Sequence, residues 1–300
     1  MVRERRNEAS PPRPVVRIRG MPHIHPTAII DGDVQLADDV VVGPYCILNG
    51  KIRIGPGSTL VASVHLNGPL WMGAKNVCYP GACIGFAPQD LSFAPSSDGA
   101  GVVVGDGNTF REHVTIHRAT KEKPTTIGNA NYFMASSHAG HDAIVGNNNI
   151  LANSVLLAGH VHLADRIVIG GATSIHQFVR IGRNCMLSGG SGTSCDVPPF
   201  FLLRDVNATG GLNIIGLRRA GFGRETIDHI RWAYHQLYRD GSSPKQGVHR
   251  LAERAHVPEV KEMMDFILAA KRPIVDRVGR ARHAILHVMR SGNIEDSGEE

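Results

Sequence analysis

At 300 residues, with 42% hydrophobic and 20% charged, the chain can bury a large core and has the balance of an ordinary soluble globular protein. A net charge of +5 and a pI near 9.1 suit an acidic partner or a phosphorylated substrate, yet no Lys/Arg-dense helix or aromatic RNA-binding signature argues for nucleic acid. No apolar run is long enough for a signal peptide or a transmembrane segment, and five cysteines without a CxxC pair read as reduced thiols, so a cytoplasmic location is expected.

Residues 1–20 carry Arg3, Arg5, Arg6, Arg13, Arg17 and Arg19 among prolines and read as a disordered basic tail. From Ile24 an apolar residue recurs at every sixth position: Ile24, Ile30, Leu36, Val42, Leu48, Ile54, Leu60, Leu66, Met72, Cys78, Ile84. A second small or apolar set precedes it by two positions, at Ala28, Val34, Val40, Cys46, Ile52, Val64 and Leu70, so each strand is expected to point two groups inward. The repeat stops over residues 86–103, where Asp90, Pro95, Ser96, Ser97 and Gly99 indicate an extruded loop. It resumes at Val104, Phe110 and Ile116 and makes a second short excursion near Lys121 to Pro124.

From Ile127 to Leu187 the hexad runs without a slip: Ile127, Phe133, Ala139, Val145, Leu151, Leu157, Leu163, Ile169, Ile175, Ile181, Leu187. Neither a helix period of 3.6 nor a strand period of 2 produces this spacing, so the unit is a short strand plus a turn. Glycine follows the periodic residue at Gly128, Gly140, Gly146, Gly170 and Gly182, as a chain bending after each strand would need. Three hexads make a triangular coil of 18 residues, with coils stacked about 4.8 Å apart in parallel register, and some eight coils fit. The spacing predicts a mainly β protein, a parallel β-helix over 21–195.

After Thr193 the period dissolves through Pro198 and Pro199. Helical spacing appears at Arg224 to Tyr238, from Ser243 and Pro244 to Ala255, and from Pro258 to about Ala270. A small α-helical domain is therefore expected over 196–290, with an amphipathic piece near Ala281 to Met289 and an acidic tail at 291–300.

Stacking tests the histidines directly, because residues 18 apart lie one above the other. His141 falls beneath Gly159 and Asp142 beneath His160. An imidazole can accept a hydroxyl proton at neutral pH, a carboxylate can orient it, and a glycine amide can donate to a developing oxyanion. His141, Asp142 and Gly159 are thus candidate catalytic groups. No Ser or Cys is placed as a nucleophile, which favours direct transfer over a covalent intermediate. Three further readings stay open at this stage: outward histidines as plain surface residues, a noncatalytic trimeric scaffold, and a zinc site of the γ-carbonic-anhydrase type, although no third His stands 18 residues from His138 or His141.

The stretches REHVTIHRAT at 111–120, SSHAGHD at 136–142, ILANSVLLAGHV at 150–161, SIHQF at 174–178, CDVPPF at 195–200 and GLNIIGLRRAGF at 211–222 resemble the UDP-N-acetylglucosamine O-acyltransferases of lipid A synthesis, hexapeptide-repeat acyltransferases. The resemblance covers roughly residues 22–275. It implies a left-handed coil, a homotrimer with sites between subunits, no cofactor or metal, and acyl carrier protein as donor of a 3-hydroxyacyl or similar fatty acyl group. It further implies His141 as the base acting on the sugar 3-hydroxyl, Asp142 as its support, and the Gly159 amide as the donor to the thioester carbonyl. Asp90, His138 and His160 would hold the sugar, and His176, Gln177, Asn213 and Arg219 would lie toward the phosphates and nucleoside. Gly189 would set acyl-chain length. Ser92, Ile215 and Ala220 depart from the residues usual in that family, which points to a paralogue acting on another nucleotide sugar or an amino sugar as the alternative. The amide-forming lipid A acyltransferase fits less well, since its extra N-terminal domain has no room before Ile24.

Overall fold

The computed structural model describes residues 21–94 and 96–277; the expected basic tail, the amphipathic piece and the acidic tail lie outside the described residues. Within them the chain winds into a three-sided column of parallel β-strands two to four residues long, whose sides belong to sheets of 12, 9 and 8 strands, the 12-stranded sheet continuing past the last coil. Strands pair at the 18-residue offset, for example Tyr132 with Ile150 and Ile150 with Val168. The 9-stranded side makes the column one coil deeper than the eight expected.

The hexad residues fill the interior. From Ile127 to Leu187 none is more than 2% exposed, and the set two positions earlier is buried at Val40, Cys46, Ile52, Val64 and Leu70. Each such side chain contributes about 1.5–3 kcal/mol when fully removed from water, so the stack is driven by one continuous apolar axis. The first coil is an open end, with Ile24 and Ile30 exposed.

The corners are made differently from the expectation. Non-glycine residues with φ between 54° and 65° occur at Ala130, Ser136, Asp142, Asn148, Ser154, His160, Arg166, Ala172, Phe178 and Asn184, one per hexad. The bend is therefore taken by the third residue after each core position. The glycines next to the core positions serve close approach instead: a Cβ on Gly140 would stand 2.8 Å from the Gly159 nitrogen of the next coil. At one corner a buried ladder joins four coils. The Asn76 side chain accepts from the Asn108 backbone, Asn108 from Asn131, and Asn131 from Asn149, each at 2.9 Å.

Both excursions occur where the spacing broke. The pairing offset rises to 32 residues around the first and 23 around the second, as in Val77 with Thr109 and Thr109 with Tyr132. Beyond the last coil, a hairpin of Phe201–Asp205 and Ala208–Leu212 extends the 12-stranded side and carries the chain into helices. These are α1 (Ile214–Arg219), α2 (Arg224–Leu237), α3 (Pro244–Gly247) running into a 3₁₀ turn to Arg254, and α4 (Pro258–Leu268). Ser243 starts α3 as expected, its N–H donating to Gln246 Oε1 at 2.9 Å. The helices are tied to the column by Arg183 on Glu262 and by Arg180, which donates to buried Asp196 and to the Phe266 carbonyl.

Candidate active site

The corner between the 9-stranded and 8-stranded sides carries His141, Asp142, Gly159, His160, Gln177 and Phe178, because each follows a strand of the first side and precedes one of the second. The positive φ of 58° at Asp142 and 60° at His160 turns the two residues outward at equivalent points one coil apart. His141 Nδ1 lies 2.7 Å from Asp142 Oδ2, and His160 Nε2 lies 3.7 Å from the same oxygen. The His160 ring stands edge-on to His141 with centroids 5.1 Å apart and stacks on Phe178 at 4.4 Å.

Asp142 is built to stay ionised. Burial alone would raise its pKa, but His141, the Thr120 hydroxyl and backbone amide, and the Lys121 amide all donate to it, at 2.7–3.1 Å, and hold it below the usual carboxylate range. An ionised carboxylate only accepts, so Nδ1 of His141 carries the proton and the Nε2 lone pair is left for a substrate. That nitrogen faces Gly159. A Cβ added there would stand 2.6 Å from both Nε2 and Cε1 of His141, so any side chain at this position displaces the ring. Among the described residues no protein acceptor takes the Gly159 N–H. A proton acceptor and an unused amide donor thus stand side by side on the surface of the column.

His138 and Asp90 join this corner. The Thr115 hydroxyl is 2.7 Å from His138 Nδ1, and the His117 ring meets His138 edge-on at 4.8 Å. Burial, then His141, lowers the His138 pKa, with the Thr115 bond opposing. Burial, with His138 and His141 adding to it, pushes His117 down to about 4. Burial first, then His141 and Lys121, lowers His160, while Asp142 and Asp90 pull the other way. The imidazoles around His141 are therefore neutral at pH 7 and do not repel a proton arriving there. Asp90, half-exposed on the first excursion, lies within electrostatic reach of His141 and Lys121, and its pKa is lowered chiefly by bonds from the Ser92 hydroxyl at 2.7 Å and the Ser92 amide at 2.9 Å. Ser92 thus caps Asp90. An open groove of 810 Å³ runs beside the corner, lined by Thr120, Lys121, Lys123, Asp142, Ile144 and His160.

The remaining expected residues are not all here. His176 and Gln177 sit on the same corner one coil above Gly159, both exposed, with Arg272 3.4 Å from His176 Nδ1. Asn213 and Arg219 belong to another corner: Asn213 caps α1 by accepting from the Gly216 amide and donates to the Asn184 carbonyl at 2.9 Å. Arg219, at the end of α1, is exposed. Gly189 is exposed on the third corner, between Met186–Leu187 and Gly192–Thr193. Sequence reasoning passed over His117, Thr115 and Thr120, although all three lie in the quoted 111–120 stretch; the offset of 23 across the second excursion hides them from the 18-residue rule. It also passed over a three-ligand set: His141, Asp142 and His160 present one possible metal-binding atom each within 4.8 Å.

Comparisons with known proteins follow the same lines. Residues 196–275 match the family profile described as UDP N-acetylglucosamine O-acyltransferase, domain 2. An acyl-[acyl-carrier-protein]--UDP-N-acetylglucosamine O-acyltransferase of Thermodesulfovibrio yellowstonii is 42% identical over 258 residues, covering 85% of this chain and 99% of the relative. The Campylobacter concisus protein of the same name is 37% identical over 263 residues, covering 87% of this chain and 100% of its own. Among solved structures, the UDP-N-acetylglucosamine O-acyltransferase of Moraxella catarrhalis superposes with a TM-score of 0.80 at 36% identity, covering 84% of this chain and 99% of that one.

Proposed function

The chain belongs to the UDP-N-acetylglucosamine O-acyltransferase family, and from that premise we propose that it moves an acyl group from acyl carrier protein to the sugar 3-hydroxyl of UDP-N-acetylglucosamine by general-base catalysis. The carrying observation is the pairing of His141, held at Nδ1 by Asp142 at 2.7 Å, with the unobstructed backbone of Gly159 against its other edge.

The chemistry follows from the atoms. His141 Nε2 takes the hydroxyl proton as the sugar oxygen attacks the thioester carbonyl carbon. The new C–O bond gives a tetrahedral intermediate whose oxyanion accepts from the Gly159 N–H. Asp142 steadies the imidazolium that forms, without taking its proton. Collapse breaks the C–S bond, and the leaving thiolate of the carrier recovers the proton from His141. Asp90, His138 and His160 lie within electrostatic reach of His141 and suit the sugar. Direct attack by the sugar oxygen needs no nucleophile on the protein.

His176 and Gln177 share the base's corner, whereas Asn213, Arg219 and Gly189 fit the nucleotide and acyl-chain roles only if neighbouring copies contribute. One chain spreads the base, α1 and Gly189 over three separate edges of the column, and its sides expose Ile144, Ile150, Leu156 and Val168 at 36–47%. A homotrimer that buries these sides would bring edges of different copies together. Among the described residues no helix is long and apolar enough to cross a membrane, and the five free thiols and carrier-protein donor suit the cytoplasm.

The test is an acceptor panel with acyl carrier protein thioesters. Ester formation on UDP-N-acetylglucosamine, with little transfer to its 3-amino analogue or to other nucleotide sugars, is expected. Folded protein that acylates only the amino sugar, or none of the panel, would sink the assignment.

A further inference from the structure

Arg118 is 5% exposed and, with Asp196, one of two fully charged side chains buried among the described residues. It is placed where three parts of the site converge. Next to it in the chain, His117 packs on His138, and two residues on, Thr120 holds the Asp142 carboxylate. Its own guanidinium faces the other way, into the base of the first excursion.

There the fork is divided between column and excursion. Nη1 donates to Asn67 Oδ1 at 2.9 Å and to the Gly85 carbonyl at 3.1 Å, both on coils below. Nη2 donates to the Ser97 carbonyl at 2.7 Å, on the segment that follows Asp90 and Ser92. The Phe93 ring lies 5.9 Å beneath the guanidinium carbon. The Arg118 backbone repeats the pattern, its N–H donating to the Phe86 carbonyl at 3.0 Å where the excursion leaves the column. At the return point Gly101 accepts from both Ala119 and Thr125 at 3.2 Å, joining the two excursions.

We infer that Arg118 is the positioning residue that holds the Asp90 segment against the column, and with it the carboxylate proposed to bind the sugar. Burying a guanidinium among carbonyls is costly, and in this place the planar fork does what no other side chain does: two arms at a fixed angle reach two backbones at once. A lysine ammonium is a single point on a flexible stem and reaches one side or the other. Arg118 itself touches neither the base nor the acceptor, so its effect passes through the excursion. The functional half of this inference rests on the acceptor reading above.

The experiment compares wild-type protein with Arg118→Lys, Arg118→Met and the milder Asn67→Ala, using steady-state kinetics and hydrogen exchange on the same samples. The KM for UDP-N-acetylglucosamine is expected to rise roughly tenfold or more, in the order Met above Lys above wild type, with kcat at saturation within about threefold. Amides of residues 87–94 should exchange about tenfold faster while those of 138–142 keep their protection. An unchanged KM, or a loss confined to kcat or to global stability, would overturn the positioning role. Unchanged exchange in 87–94 would overturn the clamp itself. Wild-type protein that fails to turn over the sugar nucleotide contradicts the acceptor reading, while the exchange comparison still reads the clamp.

Discussion

At the scale of single residues the site depends on one imidazole keeping its outer nitrogen unblocked. Gly159→Ala adds a methyl 2.6 Å from His141 Nε2, and the ring must swing away from both Asp142 and substrate. We expect kcat to fall by about 10²-fold while the melting temperature moves by only a few degrees; steady-state assays with calorimetry check this, and an alanine variant of near-wild-type rate would be at odds with the geometry. His117 makes a pH prediction. Its pKa is near 6.5 unfolded and about 4 folded, so between these values the unfolded chain binds the extra proton. Stability is therefore full above pH 6.5 and declines as pH falls toward 4, by up to about 3 kcal/mol from this group. Denaturant midpoints across that range should fall less steeply in His117→Gln than in wild type; parallel slopes would refute it. Of these residues His141, Asp142, Gly159 and His160 were legible from a single rule, the 18-residue offset. His117 and Thr115 were not, because the chain between them and His138 leaves the coil and returns, and offsets counted along the sequence stop measuring height along the axis.

Among the elements, the hexad told most of what there is to know about the column, since a period of six admits one short strand and one corner per unit. It said less about how the corners are built. Side chains such as Asp142 and His160 adopt the left-handed turn themselves, while the glycines make room for the next coil, and a sequence shows the glycines more plainly than the turns. The six-residue α1 was missed because it is too short to show a helical period, whereas α2 and α4 carry clear apolar stripes. The buried asparagine ladder is an element-scale device with a measurable cost. Asn131 donates to Asn108 Oδ1 at 3.0 Å and to the Gly146 carbonyl at 2.8 Å and accepts from the Asn149 amide at 2.9 Å. Asn131→Ala strands those partners away from water, and a loss of about 2–4 kcal/mol is expected in chemical denaturation. A loss below 1 kcal/mol would mean that the ladder is replaceable by packing alone.

For the whole molecule, the three edges of the column are the organising fact. The base lies on one edge, α1 with Arg219 on a second and Gly189 on a third, so a complete site is proposed to need neighbouring copies. Mixing His141→Ala with Arg219→Ala subunits tests this, because a hybrid assembly contains some sites with both residues intact. Random mixing should restore about a quarter of the wild-type rate, well above either variant alone. No recovery would place both residues in one chain's site or remove Arg219 from it. The most direct test of the account remains the imidazole at 141. In His141→Ala, transfer from an acyl carrier protein thioester to UDP-N-acetylglucosamine, followed by mass spectrometry of the ester, is predicted to fall by about 10²–10⁴-fold with the thermal transition unchanged. A folded variant working within about threefold of the wild-type rate would contradict it.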